Sequence, residues 1–115
     1  MDSKTILLNK QNFVNKKLNH STTSKKKLNV VAFVVDWCGY CRSLKPIYNE
    51  LSLFFYKYAN FYYIDCDSNN SVCKMFDIKG YPTIIYFDSQ GDVIKHYTGD
   101  RTFTGMMSDI IPRIK

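Results

Sequence analysis

The sequence predicts one α/β domain, a three-layer sandwich in which a central mixed sheet carries helices on both faces. The length of 115 residues is a common size for a single domain, so we expect one domain over residues 1–115. With 45% hydrophobic and 16% aromatic residues, the composition is that of a folded chain. Segments typical of strands and helices alternate along the chain, which favours a parallel-leaning sheet covered by helices.

The first quarter of the chain predicts an edge strand, a helix and a basic loop. Thr5–Leu8 is a short apolar run suited to an edge strand. Asn9 can cap a helix that follows it. The apolar residues of that helix would be Phe13, Val14 and Leu18. A lysine-rich loop at about residues 19–27 would then be inserted before the next strand.

The middle of the chain predicts a buried strand followed by a long helix. Leu28–Val35 is a nearly unbroken β-branched and apolar run, typical of a strand buried on both faces. Between Arg42 and Tyr58, apolar residues recur at intervals of three and four, which is helical spacing. Pro46 lies inside this helix, removes one backbone hydrogen bond and should kink it.

The second half predicts three more strands and two helices. Phe61–Ile64 has the pattern of a strand, and Asn69–Phe76 that of a short helix. Two further strands are joined by the turn residues 88–91, which is a hairpin signal. These strands are Thr83–Phe87 and Val93–Tyr97, and the last helix covers about Thr102–Ile111.

The net charge of +6 excludes little, because much of it falls in one region. Lys16 and Lys17 precede Lys25–Lys27, and the basic cluster has no interleaved aromatic residues. We therefore expect no nucleic-acid partner. The only early apolar run, Ile6–Leu8, is shorter than a signal peptide requires, and no run is long enough for a membrane helix. We expect a cytoplasmic protein with no membrane partner, made in a reducing compartment.

The candidate reactive site is a Cys-x-x-Cys pair, Cys38 and Cys41, between the buried strand and the long helix. At a helix start, unpaired backbone N–H groups and the helix dipole stabilise a thiolate at Cys38, which makes it the candidate nucleophile. Cys41 lies one helical turn further on and can close a disulfide with Cys38, which makes it the candidate resolving cysteine. Gly39 would keep this turn open.

The same spacing also occurs in zinc sites, which need two further ligands. The candidates are Cys66, Cys73, His20 and His96. Cys66 and Cys73 are separated by six residues, which is not a zinc-knuckle spacing, and each lies in an apolar stretch. We expect them to be buried core thiols, with a second redox pair as the alternative, and we expect no metal.

Two motifs resemble the thioredoxin family. WCGYCRSLKP, from Trp37, is similar to its active-site segment, and KGYPT, Lys79–Thr83, is similar to its cis-proline loop. The resemblance implies a thioredoxin-like sandwich and a cis bond between Tyr81 and Pro82, with Pro82 beside the cysteine pair. It also implies that the backbone of Tyr81 pairs with an extended substrate. The substrate-binding residues would be Trp37, Gly39, Tyr40, Tyr81 and Pro82.

Three positions depart from the family pattern. Ala32 stands where thioredoxins carry a buried acid, and Tyr63 where the accompanying basic residue lies. Without this acid, Cys41 must lose its proton to water or another side chain, so we predict slow resolution of mixed disulfides. Arg101 matches an arginine of disulfide isomerase domains that lowers the pKa of the second cysteine, or is merely an exposed arginine. Tyr40 replaces the proline of thioredoxins and the histidine of disulfide isomerases.

The predicted function is therefore thiol–disulfide exchange on protein substrates, in the reducing direction, without a cofactor. The partners would be proteins with disulfides or thiols and a reductase or dithiol donor, and we expect a monomer. The alternative is a thioredoxin-like module that binds peptides or a partner protein, in which the redox pair is incidental. An iron–sulfur or zinc site at Cys38 and Cys41, shared across a dimer, is the third hypothesis.

Overall fold

The computed structural model describes residues 3–115 and has a five-stranded mixed sheet at its centre. The strands are β1 (Thr5–Leu7), β2 (Phe13–Val14), β3 (Lys17–Leu18), β4 (Leu28–Val34), β5 (Ala59–Asp65), β6 (Thr83–Phe87) and β7 (Val93–Tyr97). The helices are α1 (Gly39–Phe55), α2 (Asn70–Met75) and α3 (Phe103–Ile114), and short 3₁₀ turns cover Lys10–Asn12 and His20–Thr22. The predicted mixed sheet with helices on both faces is confirmed.

The central sheet has the order β1-β5-β4-β6-β7. The β1–β5 and β4–β5 pairs are parallel, whereas β4–β6 and β6–β7 are antiparallel. Because β4 and β5 are parallel neighbours, the segments that follow them, at residues 35–38 and 66–69, leave the same edge of the sheet. This edge carries the cysteine pair.

Strand β4 supplies both layers of the core, as its unbroken apolar sequence predicts. Val31 and Phe33 face the cluster that contains α2, and Val30 and Ala32 face the cluster that contains α1 and α3. Helix α1 buries one face against the sheet through Leu44, Tyr48, Leu51 and Phe55. This packing holds the first turn of α1 at the edge of the sheet that carries the cysteine pair.

The helix predicted around Phe13, Val14 and Leu18 is wrong. The segment forms a two-stranded antiparallel hairpin, β2–β3, whose turn residues Asn15 and Lys16 have φ of 50° and 61°. Positive φ at both central residues is the geometry of a two-residue hairpin turn, and asparagine tolerates it well. Phe13 and Leu18 pair across the hairpin and are both buried, so the apolar spacing serves a hairpin.

The expectation of free core thiols at Cys66 and Cys73 is also wrong. Both side chains are buried as expected, but they form a disulfide that joins the end of β5 to α2. The reason is geometric, since the first turn of α2 brings Cys73 back to a Cα–Cα distance of 5.8 Å from Cys66, within disulfide reach. Neither sulfur is then available as a zinc ligand.

The remaining boundaries differ from the predictions by a few residues. Helix α1 begins at Gly39 and ends at Phe55, and α3 continues past Pro112 to Ile114. A proline so close to a helix end costs one backbone hydrogen bond in the last turn. The basic loop is anchored by its backbone, because Tyr62 Oη and Asn60 Nδ2 donate to the carbonyls of Thr22 and Thr23. Within residues 3–115, no helix is long and apolar enough to cross a membrane.

Candidate functional site

Cys38 is the N-cap residue of α1, with extended backbone dihedrals of φ −92° and ψ 119°. Its Sγ accepts a hydrogen bond from the backbone N–H of Cys41 at 3.3 Å, as the oxygen of a serine cap would. Cys38 follows the end of β4 and directly precedes α1, whose first turn supplies unpaired backbone N–H groups. A thiolate at Cys38 therefore meets the positive end of α1.

The two thiols have opposite pKa shifts. The pKa of Cys38 is lowered, chiefly by its hydrogen bond with the Cys41 side chain and further by the backbone amides of Cys41 and Tyr40, while burial opposes this. Burial raises the pKa of Cys41 to about 11, and the charge of Arg101 acts in the lowering direction. Cys38 is thus the more acidic of the two thiols, and Cys41 holds its proton at neutral pH.

The cis-proline loop lies against the cysteine pair. The Tyr81–Pro82 bond is cis, as the resemblance implies, and the carbonyl oxygen of Tyr81 lies 3.4 Å from Cys38 Sγ. The Tyr81 ring also packs edge-on against Trp37, with ring centroids 5.9 Å apart. Pro82 is buried. The backbone of this loop therefore borders the nucleophilic sulfur directly.

Exposed aromatic side chains surround the sulfur. Trp37 and Tyr40 have exposed fractions of 67% and 71%, unusually high for large aromatic residues. The guanidinium of Arg101 lies over the Tyr40 ring, 5.7 Å from its centroid. The site thus brings together Cys38, Cys41, Trp37, Tyr40, Tyr81, Pro82 and Arg101.

The structure shows no steric or conformational requirement for glycine at position 39. A Cβ at this position would lie 3.7 Å from the Arg42 guanidinium, which is an ordinary contact. Its φ is not in the left-handed region. Steric room therefore does not demand glycine here.

Asp67 is a site residue that sequence reasoning missed. Its Oδ2 accepts a hydrogen bond from Trp37 Nε1 at 3.0 Å, which fixes one edge of the exposed indole. The available signal was topological, since Asp67 follows β5 just as Trp37 follows β4, and parallel neighbours end at the same edge.

An open pocket of about 470 Å³ has Cys41 among its lining residues, and we call it the pocket behind Cys41. Ala32 and Tyr63, two of the positions that depart from the family pattern, both line it. Ala32 contributes only a methyl group to the pocket that Cys41 also lines.

The sequence of the chain is similar to those of known proteins. The family model described as Thioredoxin matches residues 4–111 of the chain. A mitochondrial thioredoxin domain-containing protein of Schizosaccharomyces pombe is 34% identical, with 96% of this chain and 31% of that protein covered. Protein disulfide isomerase-like 2-1 of Oryza sativa subsp. japonica is 39% identical over 64% of this chain and 20% of its own length.

The fold is also similar to a solved structure. The thioredoxin of Malassezia sympodialis superimposes with a TM-score of 0.78 at 19% identity, with 99% of this chain and 94% of that chain covered. The chain spans less than a third of the length of the two curated relatives.

Proposed function

The chain belongs to the thioredoxin family, and we propose that it is a thiol–disulfide oxidoreductase that reduces protein disulfides through Cys38 and Cys41. The observation that carries this proposal is the N-cap position of Cys38, whose sulfur accepts the Cys41 amide hydrogen and lies beside the Tyr81 carbonyl. An incidental cysteine pair would not need one sulfur at a helix start and the other protonated behind it.

In the first step, the Cys38 thiolate attacks one sulfur of a substrate disulfide. An S–S bond forms between Cys38 and the substrate, the substrate disulfide breaks, and the other substrate sulfur leaves as a thiolate that takes a proton from water. The lowered pKa of Cys38 raises the fraction of thiolate that is available for this attack. The electron pair of the Cys38 thiolate forms the new S–S bond, and the pair of the broken bond leaves with the other substrate sulfur.

In the second step, Cys41 loses its proton and attacks Cys38 Sγ. The mixed disulfide breaks, the second substrate sulfur leaves as a thiolate, and Cys38 and Cys41 are left oxidised to a disulfide. Resolution by Cys41 completes a two-electron reduction, whereas shuffling of substrate disulfides needs only Cys38. The presence of both cysteines therefore supports net redox exchange over shuffling alone. We propose reduction as the net direction, with a dithiol donor or reductase that regenerates the pair.

Deprotonation of Cys41 is the difficult part of this cycle. Its pKa of about 11 disfavours the thiolate, and the wall beside it carries Ala32 where a carboxylate would serve as base. Water in the open pocket takes this proton, and the Arg101 charge stabilises the thiolate that forms.

An extended segment of the substrate would lie across the exposed aromatic surface. Trp37 and Tyr40 supply rigid apolar area beside Cys38, and the backbone of Tyr81 offers hydrogen bonds to an extended chain. We propose a monomeric form and a reducing compartment such as the cytoplasm, because the cycle needs a supply of dithiol. Burial of the Cys66–Cys73 disulfide shields it from that supply.

The test is reduction of insulin by the chain and by two variants. We expect Cys38→Ser to abolish reduction, and Cys41→Ser to accumulate substrate bound covalently to Cys38. Unchanged reduction by Cys38→Ser would exclude the proposal, and retained peptide binding without any reduction by the wild type would favour a binding module instead.

The direction is tested separately by equilibration with glutathione. A reduction potential near that of thioredoxin, about −270 mV, supports a reductant. A value near that of disulfide isomerase, about −180 mV, would assign the chain to disulfide formation or shuffling.

A further inference from the structure

The pocket behind Cys41 lies between α1 and three strands of the sheet. Its volume is about 470 Å³, and it is lined by residues of α1, β1, β4 and β5. Ala32, Val34 and Leu44 give the pocket an apolar inner wall. Its polar lining includes Ser3, Thr5 and Asn49, whose side chains bond to one another. Tyr48 also lines it, but the Tyr48 hydroxyl already bonds to the carbonyls of Val30 and Tyr62. The interior therefore suits an apolar group.

The charged residues of the pocket are Arg42, Lys45 and Asp36. All three residues are exposed. Arg42 donates to the backbone carbonyl of Asp36 at 2.9 Å, and in the part of the chain that is described neither Arg42 nor Lys45 is in an ion pair. Two cations against one carboxylate favour a single negative charge on an occupant.

We propose that this pocket binds a small organic carboxylate, with an apolar body about the size of a phenyl ring against Ala32 and Leu44. Its carboxylate would lie at the cations Lys45 and Arg42. The body would cover the pocket side of Cys41 and displace the water there. Bound carboxylate therefore slows resolution by Cys41, a consequence that rests on the proposed function, whereas the binding itself does not.

The binding test is a titration of the reduced wild-type chain with sodium 3-phenylpropionate, followed by amide chemical shifts. For a ligand of this size we expect saturation at or below about 10 mM. The shifts should centre on Ala32, Val34 and Tyr63. Absence of saturable shifts, or shifts centred elsewhere, would overturn the proposal.

Two charge variants test how the carboxylate is held. Lys45→Gln should raise the dissociation constant about twofold to fivefold, the loss of one exposed ion contact. Lys57→Gln removes the same charge from an exposed lysine beyond the end of α1 and should leave the constant unchanged. The uncharged amide, 3-phenylpropanamide, should bind more weakly than the acid. Equal effects of both variants, or equal binding of acid and amide, would contradict the assignment.

Two further measurements test the location and the consequence. Ala32→Leu fills the inner wall and should abolish the shifts; if this variant does not fold, the Lys45 comparison decides alone. In Cys38→Ser, the ligand should slow the reaction of Cys41 with iodoacetamide, mapped by peptide mass, and an unchanged rate would overturn coverage of Cys41. Binding without insulin reduction would refute the proposed function only, and reduction without binding would refute this inference only.

Discussion

Cys38 and Cys41 lie one helical turn apart but in different environments. Cys38 receives the Cys41 N–H at the start of α1, whereas burial governs Cys41. The Cys41 side chain is also the largest cause of the lowered pKa of Cys38. The two thiols are therefore one interacting unit, and a change at one should be measurable at the other.

Removal of the Cys41 thiol should make Cys38 less reactive at neutral pH. In Cys41→Ala the main lowering influence on the Cys38 pKa is lost, so that pKa should rise toward its ordinary value. Because only the thiolate reacts, the rate of modification by iodoacetamide rises with pH through this pKa and then levels off. The midpoint of the wild-type profile should lie at lower pH than that of the variant. Coincident profiles would rule this coupling out.

A carboxylate at position 32 should speed the second half of the cycle. Ala32→Asp places a base in the pocket beside Cys41, and general base catalysis by a positioned side chain is worth at least about a hundredfold when geometry is ideal. We expect mixed disulfides to resolve at least about tenfold faster, with a loss of stability of about 1–3 kcal/mol from the buried carboxyl. Ala32→Asn is the matched control for shape. An unchanged or longer mixed-disulfide lifetime in Ala32→Asp would contradict the prediction.

Arg101 should act on Cys41 through its charge. Its charge lowers the Cys41 pKa, so Arg101→Gln should raise that pKa further and slow resolution at neutral pH. The rate should recover as pH increases, because the remaining effect is on deprotonation. Lys57→Gln, the same loss of charge beyond the far end of α1, should resolve at the wild-type rate. Equal slowing in both variants would mean that only the net charge matters.

Among the structural elements, the β2–β3 hairpin depends on a close backbone approach to the β6–β7 turn. The Leu18 N–H donates to the carbonyl oxygen of Gly91 at 2.9 Å. Gly91 has φ of 89°, and a Cβ there would lie 1.9 Å from the Leu18 carbonyl oxygen. Glycine is thus required both by conformation and by space.

Gly91→Ala should destabilise the fold by on the order of 2 kcal/mol or more, since it adds left-handed strain and a backbone clash. Gly80→Ala is the matched control, because a Cβ at Gly80 has nothing within 4 Å. Urea unfolding measures both. Equal stability of the two variants would show that the hairpin does not depend on this contact.

The same elements show how far sequence reasoning extends. The sheet strands and the helices α1 to α3 follow from local apolar patterns, because each pattern reports burial of that element. The β2–β3 hairpin was not predicted, because the spacing of Phe13 and Leu18 is compatible with a helix as well as with a hairpin. What distinguishes the two is the left-handed backbone at Asn15 and Lys16. The role of Asp67 was not predicted for another reason. Its hydrogen bond with Trp37 depends on β4 and β5 ending side by side, which local sequence does not show.

At the scale of the whole molecule, two core layers sandwich the sheet, and the Cys66–Cys73 disulfide crosslinks the layer that contains α2. Its sulfurs are buried, with exposed fractions of 2% for Cys66 and 5% for Cys73. A buried disulfide that closes a short loop limits the unfolded chain and is shielded from thiols in solution.

The double variant Cys66→Ala/Cys73→Ala should therefore lose about 2 kcal/mol of stability. It should still reduce insulin at the wild-type rate, because Cys38 and Cys41 are untouched. Cys66→Ala breaks the same crosslink and should show a similar loss. A large drop in reduction would instead identify Cys66 and Cys73 as a second redox pair.

Strand β1 has a partner that is synthesised long after it. Thr5 pairs with Phe61, and Leu8 donates its N–H to the Tyr63 carbonyl, so β1 cannot join the sheet until β5 exists. On a ribosome, Ile6 and Leu7 would therefore wait unpaired while most of the domain is made. Because Thr5 also lines the pocket behind Cys41, that pocket acquires its last wall only when the first strand finally docks.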